Sequence, residues 1–172
     1  YLNYGETQNL HQSYKCRMRS PWYSVAHVYN ADAFLSYMSG QRALLVANHA
    51  EVVAPNTLHV VRLKTNTITA NDLSVLWQNS LTMLSTEIEG HVLGGGLLKL
   101  EPSEARAVLI PRVKKLPIHL GNKLDTLLRQ GNTGKAIELG NHVLLIKGLG
   151  LSKDDVAMLV QAALHLQQRR NK

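Results

Sequence analysis

Lys15, Arg17 and Arg19 alternate along the stretch SYKCRMRSPWY, and Trp22 and Tyr23 follow directly. Cations at that spacing share one face if the stretch is a strand, where they can hold phosphates or guanine edges. Cys16 and Met18 then face inward. The plainer alternative is a solvated cationic strand face, and the two rings belong either to that surface or to the core. Further on, VANHAEVVAPNTLH adds Asn48, His49, Asn56, Thr57 and His59. These side chains carry the donors and acceptors that read base edges. For Asn56 and Thr57, following Pro55, ordinary turn chemistry is the competing explanation.

Other chemistry is poorly supplied. GNTGKA lacks the glycine spacing of a phosphate-binding loop, and Ala136 stands where that loop needs a hydroxyl. Gly94, Gly95 and Gly96 precede a predicted strand instead of following one into a helix, which does not build a dinucleotide cradle. The eight histidines show no pairing at metal-ligand spacing on a predicted helix, and no GxSxG elbow occurs. SPWY resembles the base-holding motif of enzymes that methylate exocyclic amino groups, but that motif needs adjacent prolines. Here the five prolines fall at 21, 55, 102, 111 and 117. No catalytic residue, cofactor site or metal site is therefore assigned to this chain.

The elements that must position the polar residues follow from periodicity. Tyr14 to Arg19, Trp22 to Val28, Ala43 to Ala47 and Thr57 to Leu63 read as strands, punctuated by Pro21, Gly40 and Pro55. Asp32 to Met38 is either a strand or a helical turn. From Asn71 the period changes, and one helix capped by Asn71 and closed by Gly90 places Leu73, Leu76, Trp77, Leu81, Leu84 and Ile88 on a core stripe. A short strand near 97–100 and a helical turn from Pro102 come next. Helices follow near Ile118–Arg129, Thr133–Lys147 and Lys153–Arg170, the last with Ser152 and Asp155 as a capping box and Val156, Leu159, Val160, Ala163 and Leu164 as its apolar face. The expected fold is α+β: a mostly antiparallel twisted sheet region over residues 1–70, then packed helices over 71–172.

Bulk composition agrees with a polyanionic partner. The 172 residues hold 19 Lys and Arg against 12 acids, a net charge of +7, and are 45% hydrophobic, enough for a core. The single cysteine, Cys16, suits a reducing cytoplasm, and no apolar run approaches membrane-span length. The chain begins at Tyr1, consistent with one compact unit excised from a longer protein.

YKCRMRSPWYSVAHV, VANHAEVVAPNTLHVVRL and NSLTMLSTEIEGHVLGGGLLKLEPSEARAVLIP together resemble the C-terminal region of N6-adenine DNA methyltransferases from bacterial type II restriction–modification systems. GGGLLKLEPSEA is the most specific block. The resemblance implies a target-recognition domain that binds double-stranded DNA and selects its sequence. A methyltransferase domain of the same parent chain, holding S-adenosylmethionine, would flip and methylate adenine. The residues expected at the DNA are Lys15, Arg17, Arg19, Asn48, His49, Asn56, Thr57, His59 and Lys99, with Trp22 and Tyr23 undecided between DNA and core. A type I specificity-subunit lobe, or an RNA-binding or interaction module, is the alternative.

Overall fold

Ala33 and Leu35 are buried while Phe34 and Ser36 stay half-exposed, the period-two pattern of a strand. A computed structural model of the chain, describing residues 1–25, 28–54, 56–65 and 67–171, shows how this strand organises the rest. In chain order the elements are α1 (Leu2–Thr7), α2 (Tyr14–Arg17), β1 (Ala33–Ser36), β2 (Met38–Ser39), β3 (Leu45–Ala47), β4 (Leu58–Val61), α3 (Ala70–Leu76), α4 (Ser80–Glu89), β5 (His91–Leu93), β6 (Leu97–Lys99), α5 (Pro102–Ala107), α6 (Leu120–Arg129), α7 (Thr133–Gly140) and α8 (Lys153–Arg170). A π-helical stretch, Asn141–Gly148, continues α7.

The architecture is α+β, as expected, with its strands in two small antiparallel sheets. One has the order β3-β1-β4, the other β2-β6-β5. The second is assembled across residue 70, since Met38 pairs with Lys99 and Ser39 with Leu98. Tyr37 is the junction: its carbonyl accepts from Leu100 N at 2.9 Å, between the end of β1 and the start of β2. The stretch 32–38, ambiguous by pattern, is thus resolved as strand.

Two buried clusters hold the molecule together. Ala33, Leu35 and Leu45 from the first sheet, with Ala43 just before β3, meet Trp77 and Leu100, and Trp77 Nε1 donates to the buried Ala43 carbonyl at 3.0 Å. Val75 and Leu76, on the other side of α3, meet Leu120, Leu124, Ala136 and Leu144.

Several expectations need correction. Tyr14 to Arg19 is not a strand: Tyr14–Arg17 is a helix of four residues following a 3-10 turn, Leu10–Gln12. Met18, expected inward, is 72% exposed. Residues 22–25 and 28 also lie outside any strand, while Ala26, His27 and Pro55 are outside the described residues.

The long helix from Asn71 to Gly90 is two helices. Asn79 breaks it, because its amide serves both ends: Nδ2 donates to Leu76 O at 2.6 Å and Oδ1 accepts from Thr82 N at 3.0 Å. A short polar side chain competing with the backbone in this way caps a helix in place of continuing it. The first cap is Thr69, which forms a capping box with Asp72, and Gly90 is extended, with φ of −82°. The break resets the helical phase. Leu81 and Leu84 become half-buried, Ile88 is 63% exposed, and α4 buries Ser80, Thr82, Ser85, Thr86 and Glu87 instead.

That polar face is satisfied from the C-terminal half. Ser80 N donates to Asn141 Oδ1 at 2.7 Å, and Asn141 Nδ2 donates to Ser80 Oγ at 2.8 Å. Gly140 permits this approach, because a Cβ there would stand 1.6 Å from Gln78 O. Gly140→Ala should therefore destabilise the chain by about 3 kcal/mol, the upper end of ordinary overpacking. An unchanged denaturation midpoint would show that the helices can part without cost.

Helix α8 has the expected bounds, and the Ser152–Asp155 capping box is present. Its inward face includes Val156 and Ala163, but Leu164 is 45% exposed and the face ends on Arg170 instead. Arg170 Nε donates to Glu87 Oε2 at 3.0 Å, and its other nitrogens reach the carbonyls of Gly40, Gln41 and Gly96. Gly96 has φ of +74°, and a Cβ there would meet Asn171 Oδ1. The glycine run is thus a tight turn between β5 and β6 against which the last turn of α8 closes.

Candidate nucleic-acid interface

The N-terminal cations do not form one row. Lys15 and Arg17 project in different directions from a helix, where residues two apart lie on opposite sides, and Arg19 follows in a turn. All three are exposed. Trp22 is the packing centre of this segment: its ring sits on buried Gly5, lies 6.1 Å from His11, and its Nε1 donates to Glu6 Oε1 at 3.1 Å. Tyr23, edge-on to Trp22 at 5.7 Å, remains 48% exposed.

The remaining sequence-predicted residues separate into committed and free side chains. Asn48 is committed: Nδ2 donates to Ala31 O and Val52 O, and Oδ1 accepts from Val52 N. His59 Nε2 donates to Leu100 O at 2.6 Å and packs edge-on to Tyr37 at 5.1 Å, tying one sheet to the other. Lys99 is neutralised locally by Glu101 at 2.6 Å and lies over the Tyr37 ring. His49, Asn56 and Thr57 are exposed, with their polar side-chain atoms free among the described residues.

The Lys99–Glu101 contact shifts both groups. Hydrogen bonding to Glu101, then to Tyr37, holds the Lys99 ammonium above its ordinary range, and hydrogen bonding from Lys99 holds the Glu101 carboxyl below its ordinary range. A depressed carboxyl stabilises the fold above its unfolded pKa, and that contribution is lost as pH falls through the lower folded value. Carboxyl NMR should therefore show Glu101 titrating below the usual carboxylate range. Titration at or above that range would mean the ion pair does not persist in solution.

A larger cationic surface lies elsewhere. After α5 the chain runs extended from Val108 to Leu116 and alternates. Val108 and Ile110 pack on the first core, Pro111 is fully buried, and Val113 and Leu116 pack on the second. Arg112, Lys114 and Lys115 consequently point to solvent. On one side of Ile110 a groove of about 610 Å³ is lined by Arg112, Lys114 and Lys115. On the other, a groove of about 520 Å³ is lined by Arg62, Lys64 and Arg106 together with His59. Both run along α3. Among the described residues Asp72, engaged in the Thr69 capping box, is the one carboxylate on either wall.

Those six cations carry no ion pair among the described residues. The Lys and Arg side chains that do are Lys99, Arg129 and Arg170. Arg62 is held by a cation–π contact, 4.7 Å above the Tyr29 ring. The sequence reading missed this surface, although RVKK between Pro111 and Pro117 was its signal: proline-bounded, alternating and basic.

Among the described residues no three His, Cys, Asp or Glu side chains converge to hold a metal ion. In the glycine turn, Arg170 and Asn171 close on Gly96. No helix of the described residues is long and apolar enough to cross a membrane.

An α+β module with a cationic, grooved face is what these features define. The chain belongs to the family described as the C-terminal domain of type II methyltransferase M.Eco57I, whose model matches residues 1–145. It is also similar to the type II methyltransferase M.AccI of Acinetobacter calcoaceticus, 22% identical over 107 residues that cover 60% of this chain and 20% of that protein. The matched stretch thus spans about a fifth of the curated relative's length. No solved structure matches. The likeness carried by the YKCRMRSPWY and GGGLLKLEPSEA blocks is borne out as that of a type II methyltransferase C-terminal domain.

Proposed function

We propose that this chain is the DNA target-recognition domain of an N6-adenine methyltransferase in a restriction–modification system. It selects the double-stranded DNA sequence that a methyltransferase domain of the same parent chain modifies in the cytoplasm. S-adenosylmethionine belongs to that other domain.

The observation that carries this reading is the pair of grooves holding Arg62, Lys64, Arg106, Arg112, Lys114 and Lys115. Unneutralised cations on a rigid backbone attract a polyanion at long range and bind it by releasing its counterions. The anchoring of the segment that carries Arg112, Lys114 and Lys115 in two cores supports a fixed register on the duplex instead of a loose basic tail. The N-terminal cations Lys15, Arg17 and Arg19 add charge but lack such anchoring.

Competition for a labelled duplex at low salt tests the reading. Unlabelled duplex should displace it at lower concentration than single-stranded RNA of the same length. Preference for the RNA would overturn it in favour of an RNA-binding module. Nucleosides from DNA modified by the parent enzyme should contain N6-methyladenine, and methylcytosine in their place would refute the adenine assignment.

A further inference from the structure

The connector between β3 and β4 is left outside both cores and yet is held in shape. Residues 49–53 are all exposed, and Val52 and Val53 stand 52% and 54% open to solvent. Among the described residues no hydrogen bond or ion pair engages the side chains of His49 or Glu51. Asn48 braces this segment with three hydrogen bonds. Its Nδ2 donates to Ala31 O at 3.0 Å and Val52 O at 2.9 Å, while Oδ1 accepts from Val52 N at 3.1 Å. Inside the brace, Glu51 adopts a left-handed backbone with φ of 50°, a conformation that a non-glycine residue keeps only when its surroundings impose it.

The braced end lies beside the cationic face. Ala70, at the start of the α3 helix along which both cationic grooves run, lines the cavity shared by Asn30, Asn48, Glu51 and Val52. On the other flank, Arg62 lies over Tyr29, next to Asn30 in the chain.

We infer that residues 49–53 are the base-reading loop of this domain for duplex DNA, and that Asn48 is its positioning residue. The inference rests on the DNA reading above and adds which atoms discriminate. His49 can donate to or accept from a purine edge, and Glu51 can accept from the amino group of cytosine. Val52 and Val53 can pack on the methyl of thymine. Phosphate contacts from the neighbouring cations position the duplex, and the loop supplies the sequence-dependent part. The brace orders the loop before DNA arrives, so little ordering entropy is lost on binding.

Selection from a pool of randomised duplexes tests this, with the unaltered chain, the surface variant His49→Ala/Glu51→Ala, and Asn48→Ala. The unaltered chain should enrich one short motif. Both variants should lose discrimination between that motif and a scrambled duplex, by roughly tenfold for every base edge no longer read, while the salt slope, which reports phosphates, is retained. The surface variant removes no packed atoms, so it keeps the test valid if Asn48→Ala fails to fold. Unchanged motif and discrimination in the surface variant would overturn the inference. So would duplex binding by the unaltered chain with no motif enriched. Failure of the unaltered chain to bind duplex at low salt is a different result, and it removes the DNA reading itself together with the loop.

Discussion

Replacing Arg170 with alanine should cost about 3–5 kcal/mol of stability, the penalty for leaving one partner of a buried ion pair uncompensated. The side chains of Arg170 and Glu87 are only 1% and 2% exposed, so neither charge can turn to water. Without the guanidinium, Glu87 is stranded on α4, and the carbonyls of Gly40, Gln41 and Gly96 lose a shared donor. Arg170→Lys should recover only part of the loss, because an ammonium cannot reproduce a planar fork serving a carboxylate and three carbonyls. Glu87→Met combined with Arg170→Met should be milder than Arg170→Ala, since it removes both charges. Chemical denaturation reads all three. A loss below about 1 kcal/mol for Arg170→Ala would mean that α8 does not close on the sheet. The pair also explains why α8 matters although it lies beyond the matched residues 1–145: its last turn locks the β5–β6 turn and the end of β2.

Arg112→Ala, Lys114→Ala and Lys115→Ala together should leave the fold intact and weaken duplex binding strongly. All three side chains are exposed, and the segment is held by Ile110, Pro111, Val113 and Leu116, which the substitutions do not touch. Each phosphate left without its cation should lower the slope of log affinity against log salt by about 0.9, so the triple variant should lose roughly 2.7 units. The weakening should be uniform across sequences, because phosphates carry no base identity. The same substitutions at Lys15, Arg17 and Arg19 should change the slope less, since those cations are spread around a helix and a turn. The reverse ranking would move the DNA face to the N-terminal segment.

How much of this was legible in the sequence depends on what each pattern rests on. Helix α8 was readable because Ser152 and Asp155 sit at capping-box spacing ahead of a steady 3.6 period. Strands β3 and β4 were readable from short β-branched and apolar runs. The break at Asn79 was hidden because Asn and Ser sat inside an otherwise continuous apolar period, and the Asn141 side chain that meets Ser80 is distant in sequence. Tyr14 to Arg19 alternates charge perfectly yet is helix and turn, since alternation of charge without alternation of burial does not specify a strand.

The site was legible in composition but not in place. An excess of cations announced a polyanion, while their useful arrangement depends on a linker tethered first to one core and then to the other. His59 looked free in sequence because its partner, the Leu100 carbonyl, reaches it only when the two sheets meet at Tyr37, whereas the partner of Lys99, Glu101, lies two residues on and was overlooked. Asn48 turned inward for a similar reason: the Ala31 carbonyl reaches it only through the pairing of β1 with β3.

The most direct test of the central claim is an equilibrium titration of the unaltered chain with duplex DNA over a range of salt concentrations. If the six cations along α3 each meet a phosphate, affinity should fall steeply with salt, with a log–log slope of roughly −5. Absent binding at low salt, or binding indifferent to salt, would contradict the assignment of this face to DNA.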